Sequence, residues 1–225
     1  MSIHPVAPDL LRISLAPRDL LNVYLAEDVL VDAGVSFLSG RLLKALEGRS
    51  VAAHVLTHGH VDHQGSSHAV CRNLGIPLLC GEGDREAVET GDLTRLMPRP
   101  ESFMARLSNR LGGPAHPVSG VLREGDEIAG FEVVETPGHT PGHLAFWRER
   151  DGVLILGDVL FHRHPVTLRA GLCEPVAFAT WDRAFNRASA RRLADLEPDL
   201  VCFGHGAPLR EGEEFRCYVK NLSEG

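Results

Sequence analysis

Lysine is almost missing from this 225-residue sequence: Lys44 and Lys220 are two of 23 basic residues, set against 30 acidic ones, for a formal charge of −7. That acidic balance argues against a general nucleic-acid binder. No apolar run approaches the ~20 residues of a membrane span, so a membrane is not an expected partner. Residues 1–15 have neither a basic start nor a long apolar stretch, and Pro5 and Pro8 interrupt them, so no secretory signal is expected. Cysteine is sparse, odd in number and unpaired in spacing: Cys71, Cys80, Cys173, Cys202 and Cys217 form no C-x-x-C. This excludes a zinc ribbon and a disulfide framework, and free thiols in the reducing cytoplasm are the expectation. No G-x-S-x-G elbow is present, so a serine nucleophile is not indicated. Low-complexity tracts and short-period repeats are absent too.

What is present reads as an ordinary globular protein, 44% apolar and 24% charged. The length suits one domain over residues 1–225, able to bury roughly 70% of its unfolded surface. Short apolar strands are expected at 10–15, 22–25, 29–32, 51–56 and 76–80. Helices are expected from Ser39, at 66–74 and at 84–89, with Thr57–Gly65 as a polar loop. The second half predicts strands at 118–122, 127–128, 131–135, 143–148, 153–156 and 200–203. A helix over 181–196 should turn Trp181, Phe185, Ala188 and Leu193 inward, and a last helix covers 213–222. Residues 91–116 stand apart as an insertion able to act as a lid. There Phe103, Met104, Leu107 and Leu111 share one helical face, with Arg95, Arg99, Arg106 and Arg110 nearby. Strand–helix alternation indicates layered α/β packing.

Histidine is abundant, with twelve residues, and six of them fall in short Gly-rich segments that follow predicted strands. The most specific is Thr57-His58-Gly59-His60-Val61-Asp62-His63. Alternate side chains of an extended segment point the same way, so His58 and His60 would reach one point. Asp62 and His63 follow the turn and would reach a second. Imidazoles with a carboxylate suit zinc, and also iron or manganese. His139 in Thr136–His143, Asp158 in Gly157-Asp158 and His205 in Gly204-His205-Gly206 are weak signals singly. Their strength lies in arriving in order, each after a strand.

Together, His58-x-His60-x-Asp62-His63, His139, Asp158 and His205 resemble the complete ligand set of the metallo-β-lactamase-fold hydrolases. The resemblance runs from Asn22-Val23-Tyr24-Leu25 and Val31-Asp32-Ala33-Gly34 to Gly206. It implies an αβ/βα four-layer sandwich: two mixed β-sheets face to face, flanked by helices. It also implies two divalent metal ions, zinc first, one on His58, His60 and His139, the other on Asp62, His63 and His205, with Asp158 bridging. The reaction implied is hydrolysis by a metal-bridging hydroxide, which Asp62 would orient as the catalytic residue.

Asp158 stands where the family's β-lactamases have Cys or Ser, so antibiotic hydrolysis is not the expected main activity. Thr136–His143 and Gly157-Asp158-Val159-Leu160-Phe161 resemble the glyoxalase II and lactonase branches, which implies a small thioester, ester or lactone as substrate. Only 20 residues follow His205, and no Gly-Arg stretch follows Phe161, which sets the chain apart from glyoxalase II. His143, His162, His164 and Arg169 are candidate substrate contacts. The alternatives are a mononuclear iron persulfide dioxygenase using His58, His139 and Asp158, and a two-metal phosphodiesterase. Homo-oligomerisation is left open.

Overall fold

A computed structural model describes residues 1–223. Its strands are β1 (Ser2–Ala7), β2 (Leu10–Ser14), β3 (Asn22–Ala26), β4 (Val29–Val31), β5 (Ala53–Val55), β6 (Leu78–Gly81), β7 (Gly120–Leu122), β8 (Glu127–Ile128), β9 (Phe131–Glu135), β10 (Leu144–Arg148), β11 (Val153–Ile155), β12 (Phe161–Arg163), β13 (Ala170–Cys173) and β14 (Leu200–Cys202). Its helices are α1 (Ser39–Leu46), α2 (Val61–Gln64), α3 (Ser67–Leu74), α4 (Glu82–Thr90), α5 (Phe103–Leu111), α6 (Arg183–Ala194) and α7 (Gly212–Lys220).

Strands β1 to β7 form one sheet in chain order, and β14-β11-β10-β9-β8 form the second. Both sheets are mixed: β4 to β7 run parallel, as do β11 and β14, while the remaining pairs within them are antiparallel. A separate hairpin, β12–β13, lies outside them.

Period-two alternation explains the layering. On β3, Tyr24 and Ala26 face the second sheet while Val23 and Leu25 face the helices. On β10, Leu144 and Phe146 enter the inter-sheet core, and Ala145 and Trp147 face α6 and α7. Because both faces of such strands are buried, they read as continuous apolar runs. Leu42, Ala45, Leu46 and Val70 of α1 and α3 cover the first sheet, and Ala190, Leu193, Phe215 and Val219 of α6 and α7 cover the second. The four-layer αβ/βα sandwich is therefore present. No described helix is long and apolar enough to cross a membrane.

Several expectations need correction. Strand β1 was not anticipated, because Pro5 breaks its pattern, yet an edge strand tolerates proline. The Thr57–Gly65 loop contains the one-turn helix α2. Helix α6 starts at Arg183, two residues later than expected, because the Asp182 carboxylate caps it by accepting from the Ala184 and Phe185 N–H groups at 2.8 and 3.0 Å. Trp181, Phe185 and Ala188 are exposed, and of the expected inward set only Leu193 is buried. Small and polar residues take the inward face instead. Asn186 donates to the Val159 carbonyl at 2.9 Å and Ser189 to that of Pro137 at 2.7 Å. Helix α5 forms as expected, but its apolar face is turned outward, and only Ala105 is buried.

Candidate metal centre

The loops that leave β5, β9, β11 and β14 converge at one edge of the sandwich. Two groups of side chains meet there, His58 with His60 and His139, and Asp62 with His63, Asp158 and His205. In each group the ligand-type atoms all lie within 4.8 Å of one another. All are buried except Asp62, which is half-buried. Asp158 sits between the groups. Its Oδ2 is 3.2 Å from His205 Nε2, 3.3 Å from His63 Nε2, 3.6 Å from His139 Nε2 and 3.9 Å from His58 Nε2.

Neighbouring hydrogen bonds fix which ring nitrogen each histidine offers. The Thr57 hydroxyl donates to Asp32 Oδ2 at 2.8 Å, so its oxygen accepts from His58 Nδ1–H at 3.0 Å. His63 Nδ1–H donates to the same Asp32 oxygen at 2.8 Å. His205 Nδ1–H donates to the Leu20 carbonyl at 2.5 Å. The Thr180 hydroxyl donates to the Val176 carbonyl at 2.9 Å, leaving its oxygen to His139 Nδ1–H at 3.4 Å. Each of these rings is therefore anchored through Nδ1 and turns its Nε2 toward the cluster. Outer partners of this kind orient the ligands of metal sites.

The donor set fits metal ions on an observation independent of residue type. His58 Nε2, His60 Nε2, His63 Nε2 and Asp158 Oδ1 are buried with no hydrogen-bond partner. Unpaired buried polar atoms are costly, about 1–3 kcal/mol each, unless something occupies them. His60 Nδ1 and His139 Nε2 also face each other at 3.0 Å, two nitrogens of which one must present a lone pair.

Electrostatics divides the groups. Burial drives His58 and His139 well below the usual imidazole range and His60 to about 4, so these rings are neutral and able to ligate. Burial also pulls on His205, but Asp158 and Asp62 outweigh it and raise that ring to about 10. His63 is raised in the same way, by Asp158, Asp32 and Asp62 against its burial. Burial would raise Asp158 and Asp62, yet the facing histidines hold both low. The second group thus pairs two carboxylates with two histidines whose charged form they favour, a role that a bound cation could take over.

Glycines let the loops approach. A Cβ on Gly157, at φ +57°, would fall 2.7 Å from His143 Nε2. A Cβ on Gly204 would fall 2.7 Å from His63 Cε1 and would overlap Asp158.

The expected substrate contacts divide. His143 is 1% exposed, its Nδ1–H donates to Thr136 Oγ1 at 2.8 Å, and its Nε2 accepts from the Asp158 N–H at 3.1 Å. It stacks on His58 and holds the Asp158 backbone. His162 donates through Nδ1–H to the Ala207 carbonyl at 2.7 Å. His164 and Arg169 line a cavity of about 720 Å³, together with Thr167 and residues 170–173, Cys173 included. That cavity belongs to the β12–β13 hairpin, since all its lining residues lie between 164 and 173.

Four structural contributors were not among the expected site residues, although Asn22, Asp32 and Thr57 stand in segments that carry the resemblance. Asp32 accepts from the Thr57 N–H and hydroxyl and from His63, each at 2.8 Å. Thr57 passes that contact on to His58. Asn22 ties the His205 loop to β3 by donating to the Phe203 and Gly206 carbonyls at 3.1 and 2.7 Å. Asp84, fully buried on α4, accepts from the Gly59 N–H, the Thr140 hydroxyl and the Gly142 N–H, each at 2.7 Å. One carboxylate thus joins the His58–His60 loop to the His139 loop. Asp84, on a helix away from every quoted segment, had no such placement.

A two-sheet sandwich with seven His and Asp side chains gathered at a loop edge defines a metallohydrolase-type fold and site. Residues 18–205 match the model of the metallo-beta-lactamase superfamily, and the chain belongs to that superfamily. It is 29% identical over 217 residues to the probable metallo-hydrolase YflN of Bacillus subtilis, covering 87% of this chain and 81% of that protein. It is 30% identical over 198 residues to a hydroxyacylglutathione hydrolase of Methylococcus capsulatus, covering 79% of this chain and 64% of that one. Among solved structures, it resembles TTHA1623 in a di-iron-bound form, at 29% identity and TM-score 0.69, covering 91% of this chain and 96% of that one.

Proposed function

We propose that the chain is a dinuclear metal-dependent hydrolase acting on the carbonyl of a small thioester, ester or lactone. The observation that carries this reading is Asp158 Oδ2, placed within 3.9 Å of a histidine nitrogen from each of the two groups. His58, His60 and His139 would hold one ion, Asp62, His63 and His205 the other, and Asp158 both. Zinc is the first expectation, with iron or manganese also suited to nitrogen and carboxylate donors. Two such ions supply a water that ionises near neutral pH and positive charge for a developing oxyanion.

The chain's own residues do the positioning. Asp62 is the one half-buried member, so its carboxylate meets both the cluster and the solvent side, where it can orient a nucleophile. His143 fixes the Asp158 backbone, and Asp32 fixes the His63 ring. The Methylococcus relative is a thioester hydrolase by name, which supports a thioester for this chain. A persulfide dioxygenase would employ only His58, His139 and Asp158, whereas seven donors converge here, which favours the hydrolase.

The test is metal content after purification without added metal, followed by turnover of S-acyl thioesters and of lactones before and after chelation. About two ions per chain and chelator-sensitive turnover are expected. Fewer than one ion, with no metal-dependent turnover, would overturn the reading.

A further inference from the structure

Segment 91–112 reaches into the ligand loop. Leu93 and Leu96 lie on a one-turn 3-10 helix, Leu93–Leu96, and with Ala87 of α4 they form a small buried cluster on which Val61 packs. Leu96 also closes on the other neighbour of His60: a Cβ on Gly59 would fall 2.7 Å from Leu96 Cδ1 and 3.3 Å from Val88 Cγ2. The residues on both sides of His60 are therefore pressed by the same turn, and close packing leaves them little room to shift.

The turn is itself tied down. Asp92 Oδ1 accepts from the Thr94 N–H at 3.3 Å and from the Thr94 hydroxyl at 2.6 Å. Asn109, half-buried on α5, accepts through Oδ1 from the Leu93 N–H at 2.8 Å. A Cβ on Gly112, just past α5, would fall 3.1 Å from Leu93 Cδ1. Helix α5 is thus coupled through the turn to the loop that carries His58 and His60.

His60 is the ring with most need of such support. His58, His63, His139 and His205 are each anchored through Nδ1. His60 is turned the other way: its Nδ1 faces His139 Nε2 at 3.0 Å, and its Nε2 is buried without a partner. A neutral ring that presents Nδ1 to an ion carries its proton on Nε2 and requires an acceptor there. The Leu96 carbonyl is the backbone acceptor near enough to favour the charged form of this ring.

We propose that residues 93–112 brace the metal centre: with an ion bound, the Leu96 carbonyl accepts from His60 Nε2–H, and Asn109 is the positioning residue that holds the turn in place. This rests on the metal-ion part of the reading above and is independent of the substrate. It gives the segment a fixed duty at the ligand loop in place of movement over the site.

Two measurements on the full chain test this, and neither is turnover. In zinc-loaded protein with isotope-labelled histidine, long-range proton–nitrogen spectra report which nitrogen of each ring is protonated. Among the five histidines of the centre, His60 alone is expected to carry a slowly exchanging proton on Nε2. A His60 protonated on Nδ1 would take the Leu96 carbonyl out of the centre and overturn the proposal. In competition with a chromophoric chelator, Asn109→Ala is expected to weaken one of the two zinc affinities by about tenfold, the low end of what losing an outer partner costs, and to leave the other unchanged. It should also speed exchange of the His60 Nε2 proton. Asn109→Asp keeps an acceptor for the Leu93 N–H and should restore the affinity to within about twofold.

Unchanged affinities and an unaltered His60 signal in Asn109→Ala would sink the brace, as would a loss that Asn109→Asp does not repair. A changed KM with both affinities intact would make the segment a moving cover instead. If Asn109→Ala does not fold, the spectra of the wild type decide alone. Wild-type protein that holds fewer than one ion would sink the metal reading and this inference with it, a result distinct from two bound ions that ignore Asn109.

Discussion

Asp84 is the sharpest test of how the centre is assembled. Its carboxylate is fully buried among three donors, and burial outweighs them, pushing the group up to about 6. The ordinary value is 3.8, so the folded protein binds this proton more tightly than the unfolded chain does. Acid therefore favours folding through this group: its burial cost is full above pH 6 and relieved as pH falls toward 4. Between pH 7 and 4.5 the linkage amounts to about 2 kcal/mol. Asp84→Asn cannot titrate and keeps the volume, but it offers one acceptor where two backbone N–H groups need one each. At pH 7 the lost bond, worth about 1–3 kcal/mol, is largely offset by the relieved carboxylate burial. At pH 4.5 that offset has vanished. Urea unfolding of metal-free wild type and variant at the two pH values should thus show the penalty growing by about 2 kcal/mol in acid. A penalty equal at both pH values would refute the picture of a desolvated carboxylate clamped between the two loops.

The remaining predictions concern separate parts of the molecule. His54 is held neutral by burial at about 4, between the Leu30 carbonyl and the Ser67 hydroxyl, so its contribution has the opposite sign. The stability tied to its neutral ring is present above pH 6.5 and is lost by about 2 kcal/mol as pH falls to 4.5, and His54→Gln should flatten that acid limb in urea unfolding. His58→Ala should lower the metal content from about two ions to one per chain, measured by elemental analysis, because the Asp62 group keeps its own donors. Gly204→Ala should empty the Asp62, His63 and His205 group instead and destabilise the metal-free protein by about 1–3 kcal/mol, since the new Cβ meets both His63 and Asp158. Chelation should lower the melting temperature, and restored metal should return it, as binding to the folded state alone requires.

Much of the candidate site was legible because its chemistry is carried by residue types that are rare in such density. Four donors within His58–His63, followed by three more after successive strands, mark a centre before any fold is known. The strands were legible for a related reason: alternating or continuous apolar runs ended by Gly and polar turns leave few other readings. Helix α6 was harder, because Trp181 and Phe185 look like core residues and are not. Its inward face is set by Asn186 and Ser189 meeting the Val159 and Pro137 carbonyls, a match of partners 27 and 52 residues away, with Ala190 buried beside them.

The order and identity of the metal-type residues, the strand pattern and the class of chemistry follow from the amino acids themselves, because local periodicity and donor type are properties of short segments. Which nitrogen each ring presents, that Asp84 clamps two loops, that His143 holds the Asp158 backbone, and that α5 turns its apolar face outward were decided only when distant segments packed together. Hydrogen-bond partners and solvent exposure are properties of pairs of segments, and the chain sets those pairs only by folding.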